Sequence, residues 1–157
     1  MPALHLRQAT TEDLEQILIL FEQTIRYVNA KDYSAEQIQA WTSSVAKKDR
    51  WLQKINGQTF VVAFVNGELA GFSSLASDAY LDFLFVSKDH QRHGIARALY
   101  HALEQHARSF QMPCITTDAS ITAKPFFEKQ GFVRVQQQTV FINGIALTNF
   151  RMKKNLA

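Results

Sequence analysis

The segment YLDFLFVSKDHQRHGIARALY, residues 80–100, decides how this chain can fold. Residues 80–86 form a run interrupted only by Asp82, and it is too apolar to face water on either side of a sheet. Helix formers follow, and Gly94 stands at the junction. The helix predicted over residues 94–110 begins with unpaired backbone N–H groups and with the positive end of its dipole. Such a junction is suited to bind an anion, above all a pyrophosphate.

Gly94 admits two interpretations. It could only separate the strand from the helix, or it could let the backbone approach a negatively charged ligand, to which Arg92 and Arg97 add positive charge. The neighbouring residues exclude two familiar phosphate sites. No Gly-Lys-Ser/Thr follows, as a P-loop requires, and the two further glycines of the dinucleotide-binding fingerprint are missing.

The flanking segments alternate between the periods of helices and strands. Two Asn-Gly pairs, at residues 66–67 and 143–144, mark tight turns between strands. The pattern predicts a strand at 3–9, helices at 10–28, 34–45 and 49–57, strands at 59–65, 68–76 and 79–86, a strand at 114–120, a helix at 122–132 and two strands within 133–154.

This order of elements predicts the fold class. The central β-α-β step requires a right-handed crossover and a locally parallel pair of strands, whereas the hairpins require antiparallel pairs. We therefore predict an α/β fold of the mixed α+β kind, with a mostly antiparallel sheet of six to seven strands and helices on both faces. The length suits one domain spanning residues 1–157.

The composition argues against nucleic-acid binding, disulfides, a cysteine-based metal site and a membrane segment. The formal net charge is +3, but the basic residues are spread out, so a nucleic-acid partner is not expected. The single cysteine, Cys114, excludes an internal disulfide and a cysteine-based metal site, and no metal is expected. No signal peptide is visible and no apolar stretch approaches about 18 residues. We expect a cytoplasmic protein without a membrane segment.

Two blocks of sequence resemble one family. Residues 91–96, QRHGIA, fit Gln/Arg-x-x-Gly-x-Gly/Ala, the pyrophosphate loop of the GNAT superfamily of acyl-CoA-dependent N-acetyltransferases. Residues 118–132, DASITAKPFFEKQGF, resemble a later helix of the same superfamily. Residues 32–41 and 149–154 resemble a bacterial subgroup whose substrates are poorly defined. The resemblance implies a GNAT-like fold, with acetyl-CoA as the acyl donor and an amine as the acceptor.

The resemblance also implies roles for individual residues. An N–H group near Phe85 would stabilise the thioester oxyanion, and the early helices would cap the acceptor site. The contacts expected with acetyl-CoA are the backbone of Leu84, Phe85 and Val86, the loop residues Gln91, Arg92, His93, Gly94, Ile95, Ala96 and Arg97, and then Ser120, Ala123 and Phe127. Tyr33 and Trp41 are expected to contact the acceptor or to pack in the core.

Direct attack on the thioester needs a neutral amine, so a proton acceptor or a water route is required. Asp82 is the candidate, with Tyr80 beside it, since strict alternation would place Asp82 on the face of Tyr80, Leu84 and Val86. Asp82 could instead pair with a cation and only hold the structure. His90 and His93 could also act as bases, but loop histidines beside a phosphate site are expected to be solvated.

Phe127 departs from the family, because many members carry a tyrosine there that protonates the departing thiolate. A thiol of pKa ~8.5 can leave without that help. Two other functions therefore stay open: an acyl-CoA-binding sensor without turnover, and an acetyltransferase toxin acting on charged tRNA. The oligomeric state is open as well, a homodimer included.

Overall fold

The computed structural model describes residues 3–157, and the first two residues lie outside that description. The predicted elements are present, with boundaries shifted by a few residues. The strands are β1 (Leu4–Gln8), β2 (Thr59–Val65), β3 (Glu68–Leu75), β4 (Tyr80–Val86), β5 (Cys114–Ser120), β6 (Val133–Ile142) and β7 (Ile145–Asn155). The helices are α1 (Leu14–Tyr27), α2 (Ala35–Thr42), α3 (Lys48–Gly57), α4 (Ile95–Ser109) and α5 (Lys124–Lys129).

All seven strands form one sheet in the order β1-β2-β3-β4-β5-β7-β6. Only β4 and β5 pair in parallel, across the crossover helix α4, and the other pairs are antiparallel. Helices α1 to α3 bury one face of the sheet around Phe21, Trp51 and Phe72. Helices α4 and α5 bury the other face around Tyr100 and Phe127. The predicted mixed, mostly antiparallel sheet with helices on both faces is confirmed.

Strands β4 and β5 separate after two paired positions. Tyr80 pairs with Thr116 and Leu81 with Thr117, and no later residue of β4 pairs with β5. At the point of separation the Thr117 hydroxyl donates to the Leu81 carbonyl oxygen at 2.9 Å. The remainder of β4 therefore presents a backbone edge that β5 does not cover. We expected β4 to be buried on both sides, but only Leu81 is buried and the other residues are half-buried.

A bulge in β4 breaks its alternation. Leu75 pairs with Leu81 and Ser74 with Phe83, which leaves Asp82 as an extra residue. Asp82 and Tyr80 consequently share the α1–α3 face, while Leu84 and Val86 pack toward α4 with the opposite cluster. The expectation that Asp82 would share a face with Leu84 and Val86 was wrong, because it assumed strict alternation.

Helix α4 lies unusually close to the sheet where β4 ends. A Cβ atom on Gly71 of β3 would lie 2.8 Å from the Phe85 carbonyl oxygen and 2.9 Å from Cδ1 of Leu99. Real Cβ atoms do not tolerate such distances, so glycine is required at this position. The close approach brings the N-terminus of α4 beside the uncovered part of β4.

The C-terminal half of α4 is tied to β7 through Glu104. Its Oε1 accepts hydrogen bonds from Lys154 Nζ and from the Tyr100 hydroxyl, both at 2.6 Å, and its Oε2 accepts from Arg108 Nε at 3.2 Å. Burial by itself raises the pKa of Glu104, but these hydrogen bonds outweigh it and lower the pKa from 4.5 to about 2. The ionised carboxylate therefore stabilises the folded state.

No helix in the described part of the chain has both the length and the apolar character needed to cross a membrane. Residues 3–157 also contain no cluster of histidine, cysteine or carboxylate side chains that could hold a metal ion.

We predict that Glu104→Gln lowers the free energy of unfolding at pH 7 by about 3 kcal/mol, which corresponds to the pKa difference between the folded and unfolded states. Because the folded-state pKa is depressed, this stability is present above the unfolded pKa of 4.5 and is lost as the pH falls toward about 2. Urea unfolding at pH 7, 5 and 3 should therefore show a shallower pH dependence for the variant.

Glu128→Gln is the control, since Glu128 forms an exposed pair with Lys124 on helix α5 and exposed pairs contribute little. Equal losses for the two variants at pH 7, or parallel pH curves for Glu104→Gln and the parent, would contradict the assignment.

Candidate active site

A cavity of about 820 Å³ occupies the gap between β4 and β5. One end is formed by the loop after β4 and the start of α4, and the other by the segment between α1 and α3 together with the β6–β7 hairpin. The uncovered edge of β4 runs between these two ends. The cavity therefore joins an anion-binding helix terminus to a second chamber along a free strand edge.

The loop before α4 has the conformation of an anion-binding nest. Arg92 and Gly94 both adopt positive φ, 63° and 76°. The first amide of this helix with a backbone acceptor is Ala98, which donates to the Gly94 carbonyl. The N–H groups of residues 95–97 donate to no backbone carbonyl within residues 3–157. Such unpaired N–H groups are expected at the start of a helix. These amides and the helix dipole make this end of the cavity attractive to phosphate.

Gln91 holds the loop in place. Its Nε2 donates to the Val86 carbonyl oxygen at 2.7 Å and to the Ser87 carbonyl oxygen at 3.2 Å. The Thr24 hydroxyl donates to the same Val86 carbonyl at 3.2 Å. That carbonyl has both lone pairs engaged, so a backbone contact from Val86 to a ligand would have to use its N–H group. Phe85 pairs with Phe72, so its backbone groups face β3 and cannot bind a ligand as expected, and Leu84 carries the rest of the uncovered edge.

The two loop histidines lie in different environments. His93 is exposed, as expected, and its side chain is not part of the cavity wall. His90 is half-buried and lines the cavity, and its Nδ1 is buried without a hydrogen-bond partner in the described chain. The expectation of a solvated side chain was therefore wrong for His90, because the turn of the loop folds it inward.

Asp82 lies on the cavity wall in an ion pair. Its Oδ2 lies 2.9 Å from Lys54 Nζ and accepts a hydrogen bond from Gln58 Nε2, also at 2.9 Å. Lys54 also lies 4.8 Å from the centroid of the Phe83 ring. Oδ1 of Asp82 forms no hydrogen bond with the described residues and is not buried. Asp82 therefore pairs with a cation, as the structural alternative expected, and its Oδ1 still has no partner among the described residues.

Tyr80 belongs to a second polar network. Its hydroxyl donates to Asp118 Oδ2 at 2.8 Å, and Arg151 Nε donates to Asp118 Oδ1 at 2.7 Å. Gln138 Nε2 donates to the same oxygen at 2.9 Å. Burial, followed by the hydrogen bond to Asp118, raises the pKa of Tyr80. The phenol is therefore poorly suited to accept a proton.

The residues expected on the acceptor side lie together. The Tyr33 hydroxyl donates to the Thr148 carbonyl oxygen at 2.7 Å and accepts from the Ile121 N–H at 2.9 Å, so only its ring faces the cavity. Burial raises the pKa of Tyr33. The Trp41 ring lies 5.3 Å from that of Tyr33. Trp41 is half-buried on the cavity wall, and its indole N–H forms no hydrogen bond with residues 3–157.

The second block of sequence forms the opposite wall. Ser120 Oγ accepts from the Ala123 N–H at 3.0 Å and so shapes the turn into α5. Phe127 borders the cavity but is only 2% exposed, because its ring packs 5.1 Å from that of Phe132.

The wall residues that were not singled out from the sequence include Asn29, Lys47, Arg50 and Asp118. Asp118 had a visible signal, because polar residues alternate with buried ones along CITTDAS at 114–120. The other three lie in turns or at a helix start, where no periodicity identifies them.

The sequence profile of the acetyltransferase (GNAT) domain matches residues 29–154. This chain belongs to the GNAT acetyltransferase family. It is thus an acyltransferase, and the cavity is its candidate active site.

Individual relatives agree with this assignment. An Escherichia coli K12 protein named uncharacterized N-acetyltransferase YafP is 35% identical over 153 residues, which are 98% of this GNAT chain and 97% of the relative. A crystal structure of a GCN5-related N-acetyltransferase from Rhodopseudomonas palustris superimposes with a TM-score of 0.93 at 35% identity, covering 99% and 96% of the two chains. PaiA N-acetyltransferase from Thermoplasma acidophilum, solved with coenzyme A, shares the fold with a TM-score of 0.77 at 20% identity, covering 98% and 99%.

We predict that Gly94→Glu abolishes the rise in melting temperature that millimolar acetyl-CoA produces. A Cβ atom at Gly94 meets no other atom within 4 Å, so the side chain has room but places negative charge at the nest. Saturation at about a hundred times Kd corresponds to ~2.7 kcal/mol, or a few degrees for a chain of this size. Differential scanning fluorimetry measures the shift.

Gly67→Glu is the matched control, because Gly67 has φ +82° and also meets nothing within 4 Å, but does not line this cavity. The two variants share backbone strain and charge. A parent protein that shows no shift, or a Gly94→Glu variant that keeps it, would exclude the nest as the phosphate site.

Proposed function

We propose that this GNAT enzyme, acting as one domain over residues 1–157, transfers an acetyl group from acetyl-CoA to an amine by direct attack. The observation that carries the proposal is the convergence of the uncovered β4 edge and the unpaired start of α4 on one cavity. A strand edge can pair with an extended ligand such as the pantetheine arm, as in β-augmentation. The helix start supplies donors for the pyrophosphate.

The wall residues fit acetyl-CoA chemically. The amides of Ile95, Ala96 and Arg97 would bind the pyrophosphate, with Arg92 and Arg97 adding charge. Backbone groups of Leu84 and the N–H group of Val86 would hold the pantetheine, and one of these N–H groups next to Phe85 would stabilise the oxyanion. The apolar wall around Ala123 and Phe127 would exclude water from the thioester.

The chemical step needs few protein groups. The lone pair of the neutral amine attacks the thioester carbonyl carbon, the C–S bond breaks, and the sulfur leaves as a thiolate while the amide forms. The proton of the attacking nitrogen passes to Asp82 Oδ1, directly or through water. Lys54 and Gln58 hold the other oxygen and so orient the carboxylate.

The function is tested by following CoA release with a thiol reagent across a panel of amines. Release that depends on an amine, with the acetylated product seen by mass spectrometry, is the expected result. Binding of acetyl-CoA without release for any amine would instead indicate an acyl-CoA sensor. Inhibition of a cell-free translation reaction, reversed by removing acetyl-CoA, would indicate action on charged tRNA.

We predict that Asp82→Asn lowers kcat by about 10²-fold or more, while the KM for acetyl-CoA changes little, because the amide cannot take a proton. Steady-state kinetics between pH 6 and 9 measure both constants. Lys54→Gln is the control, since it breaks the same ion pair but keeps the carboxylate. Equal losses of kcat in the two variants would mean that Asp82 acts only through its ion pair with Lys54 and does not accept the proton.

We predict that Phe127→Tyr raises kcat severalfold with little change in the KM for acetyl-CoA. A hydroxyl at this position could donate to the thiolate as it forms, and one such donor is worth ~2.7–4 kcal/mol at most in a preorganised site. The gain should be smaller here because the thiolate is already a good leaving group. Steady-state kinetics and the melting temperature are measured together.

Phe132→Tyr serves as the stability control, because Phe132 is buried beside Phe127 and does not line the cavity. A buried hydroxyl without a partner costs ~1–3 kcal/mol, and this variant reports that cost alone. A Phe127→Tyr variant that is stable but slower than the parent would show that the ring serves as apolar surface for the acyl group or the pantetheine.

A further inference from the structure

We propose that the acceptor of this GNAT enzyme is an amine that also carries an anionic group, a carboxylate or a phosphate, which Lys47 and Arg50 bind. The inference rests on the proposed function, because it concerns the substrate of the same cavity. It follows from the charges of the wall, from an amide side chain that faces the cavity without a partner and from the apolar surface between them.

The cavity wall has an excess of positive charge. Its only two carboxylates are Asp82 and Asp118, counted over residues 3–157, and both are neutralised: Asp82 by Lys54 at 2.9 Å and Asp118 by Arg151 at 2.7 Å. Cations without an ion pair in that part of the chain are Lys47, Arg50, Arg92, Arg97 and Lys129. An acceptor with several positive charges would be repelled by this wall.

Four of these five cations fall into two groups, and the fifth, Lys129, lies at the end of α5. Arg92 and Arg97 flank the nest before α4, and the phosphates of acetyl-CoA account for their charge. Lys47 and Arg50 lie at the start of α3, which packs on the opposite face of the sheet from α4 and α5. The proposed position of acetyl-CoA along β4 and α4 leaves them without an anionic partner. A second anion at this end of the cavity is therefore indicated.

Asn29 independently indicates a polar ligand. It lies in the turn between α1 and α2, is only 6% exposed and lines the cavity. Its side-chain nitrogen and oxygen form no hydrogen bond with residues 3–157 and are not among the fully buried polar atoms, so they are open to the cavity. A polar side chain this buried normally has a partner, so a ligand in the cavity can supply one. The free N–H group of Trp41 on the same wall is a second donor.

This chamber also has an apolar surface. The Trp41 ring and the half-buried side chains of Val140 and Ile142 form its surface with the buried Leu147. Such a wall favours an acceptor that carries an aromatic or aliphatic part in addition to its anionic group and its amine. The combination describes amino acids and related amino acid-like amines, rather than polyamines or simple cationic amines.

The test compares amines that differ only in the anionic group. We expect kcat/KM to be roughly tenfold higher for phenylalanine than for phenethylamine, and for phosphoethanolamine than for ethanolamine, as for a charge pair at a partly exposed site. The two pairs distinguish a carboxylate from a phosphate. Added KCl should raise the KM of the preferred anionic amine, because salt screens exposed charges.

The double variant Lys47→Gln, Arg50→Gln should lower the ratio of kcat/KM between the anionic amine and its uncharged counterpart by about tenfold, mainly through KM. Lys48→Gln is the matched control, because the neighbouring Lys48 pairs with Glu15 at 2.9 Å and does not line the cavity. The control should keep the parent ratio.

The outcomes separate this inference from the proposed function. Turnover of phenethylamine or ethanolamine equal to or faster than that of the anionic partner, with a ratio insensitive to Lys47 and Arg50, would overturn the anion site while leaving the transferase intact. Absence of turnover with every amine would contradict the proposed function. In that case, calorimetry would compare the affinities of the protein for phenylalanine and for phenethylamine. Equal affinities would overturn the anion site as well.

Discussion

The separation of β4 from β5 is the constraint on which this structure depends. Two adjacent parallel strands would normally continue to pair, but here the pairing stops after Leu81 and Thr117. The Thr117 hydroxyl satisfies the Leu81 carbonyl at that point, so the sheet opens without leaving a buried acceptor unpaired. Beyond this point the backbone groups of β4 that face β5 are not paired, so a ligand can bind them. The cavity lies in the gap between these two strands.

Two features bring the rest of the site to that opening. Gly71 allows α4 to approach β3 and β4 closely, which places the unpaired start of the helix at the end of the uncovered strand. The bulge at Asp82 turns this carboxylate toward the α1–α3 face while Leu84 and Val86 pack toward α4. A single extra residue therefore separates the groups proposed for proton transfer from those proposed for the acyl donor.

Electrostatics divide the cavity wall into neutral and positive regions. Each carboxylate is matched by a lysine or an arginine, so its charge does not reach far into the cavity. Four of the five remaining cations lie near α4 and near the start of α3, and Lys129 lies at the end of α5. One protein surface can in this way bind a phosphate-bearing donor at one end and orient a differently charged molecule at the other.

By itself the sequence determined the order of elements, the fold class, the anion-binding loop at residues 91–96 and the family, because strand period, helix period and a glycine at a helix start are local signals. Only the tertiary structure decided the face of Asp82, since a bulge depends on how the neighbouring strand pairs. It also decided the partner of Asp82, the inward position of His90 and the grouping of Asn29, Lys47 and Arg50 on one wall. These residues come from turns and helix starts far apart in the chain, and packing alone brings them together.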